Sequence, residues 1–274
     1  MPSGDGYEAQ VPEEFSIAAL DGFPLAVQVG GPVHGPALLL LSGQANSHRW
    51  WTGLRSGFED RWRTVTLDYR GTGHSRGPVG RWTTASFGAD AAQVLAALGI
   101  ASTSVYATSM GGRIAQTLAA DRPDLVDRLV LACTSPGGEH ATERSTDVRR
   151  QLGDPDPERR HGALRELFYT PAWAGDSHLL GDPTMSAAEA RAHLRASDGH
   201  DAWDQLPRVS APTLVLHGTE DLMVPAANAF AIAGRIPGAR LHLVPGGRHG
   251  FFEEYASQVT PLVAHFLGEA TVRT

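Results

Sequence analysis

The chain has 274 residues, a formal charge of −7 and one cysteine, and all 23 of its Lys+Arg residues are arginine. The negative balance without a basic cluster argues against a nucleic-acid partner, and the lone Cys133 excludes an internal disulfide or a cysteine-rich metal site. The absence of lysine rules out a P-loop lysine, a Schiff-base lysine and a serine–lysine dyad.

Such a length can bury one full core. Residues 1–8 carry neither a basic start nor an apolar run, so no signal peptide is expected. The apolar runs are too short to span a bilayer, and the expected location is cytoplasmic, away from membranes. A lysine-free composition rich in Ala, Gly, Arg and Pro is that of a GC-rich bacterial genome.

Residues 14–20 and 25–29 read as two antiparallel strands joined by Asp21-Gly22-Phe23-Pro24. The aliphatic run 37–41 reads as a strand buried on both faces, and 65–68 as the next strand. Over 84–98 the apolar residues Phe87, Ala91, Val94, Leu95 and Leu98 fall at helical spacing, closed by Gly99. Further strands are expected at 104–108, 129–133, 213–217 and 241–244, the last followed by an amphipathic helix ending near Leu267. Strands alternating with helices predict an α/β fold with a doubly wound, mostly parallel sheet. The pattern breaks between Pro136 and Pro207, where helices are expected to start at Asp156-Pro157 and at the capping box Ser186–Glu189. Cys133, at the end of a buried strand, reads as a structural thiol.

One stretch carries chemistry. In Ala107-Thr108-Ser109-Met110-Gly111-Gly112, small residues flank a serine between a strand and a helix. Such a turn holds its apex residue strained, with the hydroxyl thrust outward and the helix N-terminus favouring negative charge beside it. Ser109 therefore reads as a nucleophile.

This stretch resembles the nucleophile elbow of the α/β-hydrolase family, with Ala107 where the usual pattern has glycine. The resemblance extends along the chain. The turn Asp68-Tyr69-Arg70-Gly71-Thr72-Gly73-His74-Ser75 resembles a structural turn of the family, which makes His74 a loop residue. The loop Ser42-Gly43-Gln44 departs from the family's usual His-Gly start, but its position implies that the backbone N–H of Gln44, with that of Met110, forms an oxyanion hole. The Gly218–Pro225 turn implies Asp221 as the triad acid, with Glu220 a solvated carboxylate. His249, in a glycine-flanked loop before the last helix, matches the family's base, and most of the other eleven histidines are expected at the surface or in the cap.

The implied organisation is a core over 1–135 and 207–274 with a helical cap at 136–206, inserted after the sixth strand. Within the cap, Trp173 and Trp203 either line a pocket or fix the cap to the core. The implied activity is hydrolysis of an ester or lactone of a small, partly apolar molecule through an acyl-enzyme, without cofactor or metal. The same triad also serves C–C bond hydrolases, thioesterases, proline aminopeptidases and cofactor-free haloperoxidases, and a ligand receptor can keep the fold without turnover. Serine at position 109 argues against epoxide hydrolases and haloalkane dehalogenases, which use a carboxylate there.

Overall fold

The computed structural model describes residues 12–269; residues 1–8, where no targeting segment is expected, lie outside them. Eight strands form one sheet: β1 Glu13–Ala18, β2 Pro24–Gly30, β3 Ala37–Leu41, β4 Arg63–Leu67, β5 Thr103–Thr108, β6 Val126–Ala132, β7 Thr213–Gly218 and β8 Arg240–Val244. Their spatial order is β1-β2-β4-β3-β5-β6-β7-β8. The β1–β2 and β2–β4 pairings are antiparallel, and every pairing from β4 to β8 is parallel. The chain thus reverses across one edge and then winds by helical crossovers, as the alternation of strand and helix predicts.

The helices are α1 Ser56–Glu59, α2 Thr84–Ala97, α3 Met110–Asp121, α4 Thr146–Leu152, α5 Pro157–Phe168, α6 Ala187–Asp198, α7 Ala227–Arg235, α8 Phe251–Glu254 and α9 Ala256–Gly268. Side chains alternate across the sheet, so that successive leucines of β3 enter different cores. Leu39 and Leu41 pack with Phe87 and Ala91 of α2, Ile114 of α3 and Ile232 of α7. Leu38 and Leu40 pack with Phe58 of α1 and with Val263 and Phe266 of α9. The sheet is doubly wound.

Beyond the four-residue α1 and α8, two helices were not foreseen in the sequence, each for a local reason. In α4 only Val148 is buried, so no apolar stripe marks it. The N-cap of α7 is Ala226, which offers no side-chain acceptor. The expected helix starts hold: Asp156 accepts the amides of Glu158 and Arg159, and Ser186 and Glu189 close a capping box. Between β6 and β7 lie α4, α5, α6 and two short 3-10 turns, with no strand among these described residues beyond a single bridge between Gly137 and Asp201.

Candidate active site

Ser109 sits at the turn from β5 into α3 with φ 53° and ψ −121°. A non-glycine residue at positive φ costs about 1–3 kcal/mol and persists only where its surroundings over-determine it. Here the Ser109 amide donates to Ala132 O at 2.9 Å, and its carbonyl accepts Thr134 Oγ1 at 2.8 Å. The turn also needs glycine at 111, where a Cβ would lie 2.3 Å from Leu41 O. Ala107, buried in β5, fits where glycine was expected.

His249 lies in the loop after β8. Its Nε2 is 3.0 Å from Ser109 Oγ and its Nδ1 2.8 Å from Asp221 Oδ2. A carboxylate can only accept, so Nδ1 carries the proton and Nε2 is free to accept from the serine hydroxyl. Asp221 is buried and saturated. Its Oδ1 accepts the amides of Met223 and Val224 at 2.9 and 2.8 Å. Burial by itself would raise its pKa, but the charge of His249 and the hydrogen bonds from His217 and His249 outweigh that and hold it below the ordinary carboxylate range. Glu220, its neighbour, is exposed. The acid turn and the His249 loop touch through Gly218, where a Cβ would meet Gly247 O at 2.1 Å.

The structure therefore brings Ser109, Asp221 and His249 together in one hydrogen-bonded line. Gln44 and Met110 border the same cavity, and among the described residues neither amide donates to a protein acceptor. Met110 opens α3, where the first amides of a helix have no internal partner. Ser42 leaves its hydroxyl buried without a partner while its carbonyl accepts Tyr69 Oη at 3.1 Å, so the loop is not held by that side chain.

Other residues hold this loop, and sequence reasoning missed them. His193 of α6 donates Nε2–H to Arg70 O at 2.8 Å and accepts the Ala45 amide on Nδ1 at 3.3 Å. Asn46 donates to Gln44 O at 3.0 Å and to Leu179 O at 3.3 Å. The His249 loop is tied in the same way to the end of α5, with His249 N–H on Leu167 O and Gly250 N–H on Phe168 O. His217, 3.3 Å from Asp221 Oδ2, is a further buried partner. No short motif marks His193 or the bond from Asn46 to Leu179, because these contacts cross 123 to 148 positions of chain, whereas His217 lies only four positions before Asp221.

His193 and His200 lie in the 136–206 segment and are buried there, while His217, in β7, is buried in the core, an exception to what was expected of most histidines. Trp173 and Trp203 do not line the cavity. Trp173 stacks on Tyr169 at 3.8 Å, and Trp203 on His140 at 4.1 Å with Arg235 over its ring. Both fix elements to one another. His74 is the expected loop residue, paired with Glu14. Cys133 is fully buried and burial raises its thiol pKa, as befits an inert side chain.

The cavity before Ser109 has a volume of about 1040 Å³. Leu164, Phe168, Leu179 and Leu180 supply apolar wall from the segment between β6 and β7, and Trp50 and Met223 from the core. No group of His, Cys, Asp and Glu that could hold a metal occurs among the described residues. No helix of the described residues is long and apolar enough to cross a membrane.

The family model described as alpha/beta hydrolase fold matches residues 36–156, and one described as serine aminopeptidase S33 matches 171–256. The chain is 30% identical to a putative carbamate hydrolase, RutD, of Caulobacter vibrioides, over 86% of this chain and 91% of that protein. Among solved structures, a hydrolase from Pseudomonas aeruginosa superposes with a TM-score of 0.81 at 27% identity, covering 93% of this chain and 98% of that one. An enol-lactonase from Burkholderia xenovorans superposes at 0.80 with 24% identity over 93% of this chain and 100% of that one, a likeness of fold. The 30% relative, aligned over most of both chains, the two family models and the doubly wound sheet agree: the chain belongs to the α/β-hydrolase family and is a hydrolase.

Proposed function

We propose that the chain is a serine hydrolase that cleaves an ester or lactone of a small, partly apolar molecule through an acyl-enzyme. The observation that carries this reading is the hydrogen-bonded line from Ser109 Oγ through His249 to Asp221, opening on the cavity. In the mechanism it supports, His249 Nε2 takes the hydroxyl proton as Ser109 Oγ attacks the carbonyl carbon. Asp221 fixes the imidazole tautomer and stabilises the imidazolium. The amides of Gln44 and Met110 receive the oxyanion, each donor being worth about 3–4 kcal/mol in comparable sites. The C–O bond then breaks, the leaving oxygen takes the proton from His249, and water releases the acid by the same steps. Residues 136–206 act as the cap, whose leucines shape and dry the pocket.

The 30% relative named a putative carbamate hydrolase favours a second reading, in which the same residues open a carbamate. Turnover of p-nitrophenyl esters set against an N-substituted p-nitrophenyl carbamate separates the two. The hydrolase reading itself is tested with a neutral fluorophosphonate and by Ser109→Ala. The wild type should label at position 109, and the variant should lose turnover by about a million-fold while keeping its fold, since alanine has the same Cβ. A folded wild type that neither labels nor turns over any of these substrates overturns the reading.

A further inference from the structure

The cavity before Ser109 is lined with positive charge. Its wall includes Arg113, Arg144, Arg149, Arg160 and Arg191, against the carboxylates Glu143 and Asp198. Glu143 is engaged by Arg149 at 2.7 Å. Arg113 and Arg144, both half-buried, form no ion pair within 4 Å among the described residues. Arg113 is held instead by neutral oxygens, donating to the Ser197 carbonyl at 2.5 Å, the Ser197 hydroxyl at 3.0 Å and Ser135 Oγ at 2.9 Å. Arg144 Nη1 lies 3.3 Å from Met223 Sδ.

These two side chains approach the reacting serine from different elements. Arg113 is in the first turn of α3, which Ser109 precedes as N-cap, and both side chains border the cavity. Arg144 packs on Met223, whose amide donates to Asp221. Burial, with the charge of Arg144 added, lowers the Arg113 pKa to about 10, Glu143 and Asp198 acting the other way, so Arg113 stays charged at neutral pH. His200, beside them on the wall, is kept neutral by burial and by the Arg113 charge, and adds no further cation. Two like charges held half-buried, with only the longer-range pull of Glu143, Asp198 and, for Arg144, Asp221 to offset them, cost free energy. An anion placed between them would recover that cost, and the guanidinium fork matches a carboxylate in shape and charge.

We propose that Arg113 and Arg144 bind a carboxylate on the substrate, so that the preferred substrates are carboxylate-bearing esters or lactones rather than neutral ones. This deepens, and rests on, the reading of Ser109 as nucleophile. It also accounts for polar surface that a purely apolar pocket would not carry.

The test measures binding apart from turnover, with glutarate as the probe and glutaramide as its neutral counterpart. Calorimetry on the wild type should show glutarate binding and glutaramide not. Glutarate should also protect Ser109 from a neutral fluorophosphonate. Arg144→Gln should weaken glutarate binding about tenfold or more, the loss of a charge-assisted pair of hydrogen bonds. Arg144→Lys, which keeps the charge without the fork, should fall between. Arg113→Gln should act in the same direction, but it also frees Ser197, so Arg144 is the deciding position and circular dichroism checks both folds. If Ser109 labels while glutarate neither binds nor protects, or binds equally well in Arg144→Gln, the carboxylate site is overturned and the hydrolase reading stands. If glutarate binds through Arg144 but Ser109 does not label, the site stands and the hydrolase reading falls.

Discussion

His217 shares Asp221 with His249: its Nε2 is 3.3 Å from the same carboxylate oxygen, Oδ2, that receives His249 Nδ1 at 2.8 Å. His217 Nε2 also lies 2.8 Å from the Val224 carbonyl, which can only accept, so this nitrogen carries the proton and serves both oxygens. Its Nδ1 is buried without a partner. A buried carboxylate with four neighbouring donors cannot rotate away from the imidazole it orients. His217→Leu removes one donor from a buried charge and should cost about 1.5–3 kcal/mol of stability. His217→Gln, whose amide reaches the position of Nε2, should recover most of it. Urea unfolding of the three proteins measures this, and equal losses in both variants would mean that packing, not the hydrogen bond, is what His217 supplies.

Asp221 and Glu220 are neighbours in sequence with opposite environments, one buried and hydrogen-bonded, the other exposed. Asp221→Asn should lower kcat by about four orders of magnitude, because an amide nitrogen facing Nδ1 favours the wrong tautomer. Glu220→Gln should leave kcat within about twofold, as surface substitutions do. Steady-state kinetics on one ester decides between them, and the reverse result would remove Asp221 from the triad.

Leu179 and Trp173 separate pocket from scaffold. Leu179 is fully buried and borders the cavity, whereas Trp173 stacks on Tyr169 away from it. Leu179→Ala enlarges the cavity and should shift kcat/KM toward longer acyl chains, a methylene in such a pocket being worth about 1–3 kcal/mol. Trp173→Ala should cost about 2 kcal/mol of stability from a half-buried stack with little change in acyl preference. A series of p-nitrophenyl esters of rising chain length, run on both variants, gives the comparison; a larger preference change from Trp173→Ala would place that ring at the pocket after all.

Acid should destabilise the fold through its buried histidines. Burial, reinforced by the Arg113 charge, pushes His200 down to about 3, and burial also lowers His193. An unfolded histidine titrates near ~6.5, so below that pH the unfolded chain binds more protons than the native one. Stability is then fully present above about pH 6.5 and is lost as pH falls toward 3, with a slope of up to about 1.4 kcal/mol per pH unit for each such group. Asp221, held below the ordinary carboxylate range, adds a loss of the same sign below about pH 4. Urea midpoints at pH 7 and pH 5 should fall less in His200→Gln than in the wild type. Identical pH dependence in the two proteins would show that His200 does not titrate across folding. Protonation of His193, which burial disfavours, would also take away the acceptor of the Ala45 amide, so acid should loosen the Gln44 loop.

By itself the amino-acid sequence determined the sheet, the elbow and the three aligned residues. The strands and the elbow rest on short-range rules, since continuous aliphatic runs enter a core and small residues let β5 turn into α3, while Asp221 and His249 were placed by the resemblance of their turns to the α/β-hydrolase family. Helices without such local marks, α4 and α7, were not legible, since the one has a single buried side chain and the other no capping acceptor. Only the tertiary structure decided which side chains meet at the cavity. Trp173, the large apolar group of its segment, turned to Tyr169, while Arg113 and Arg144, 31 positions apart, came to one wall. The physical reason is that a side chain's worth depends on its surroundings: burial and like charge turn an ordinary arginine into a site, and distant backbone oxygens turn a core histidine into a support for the reacting residues.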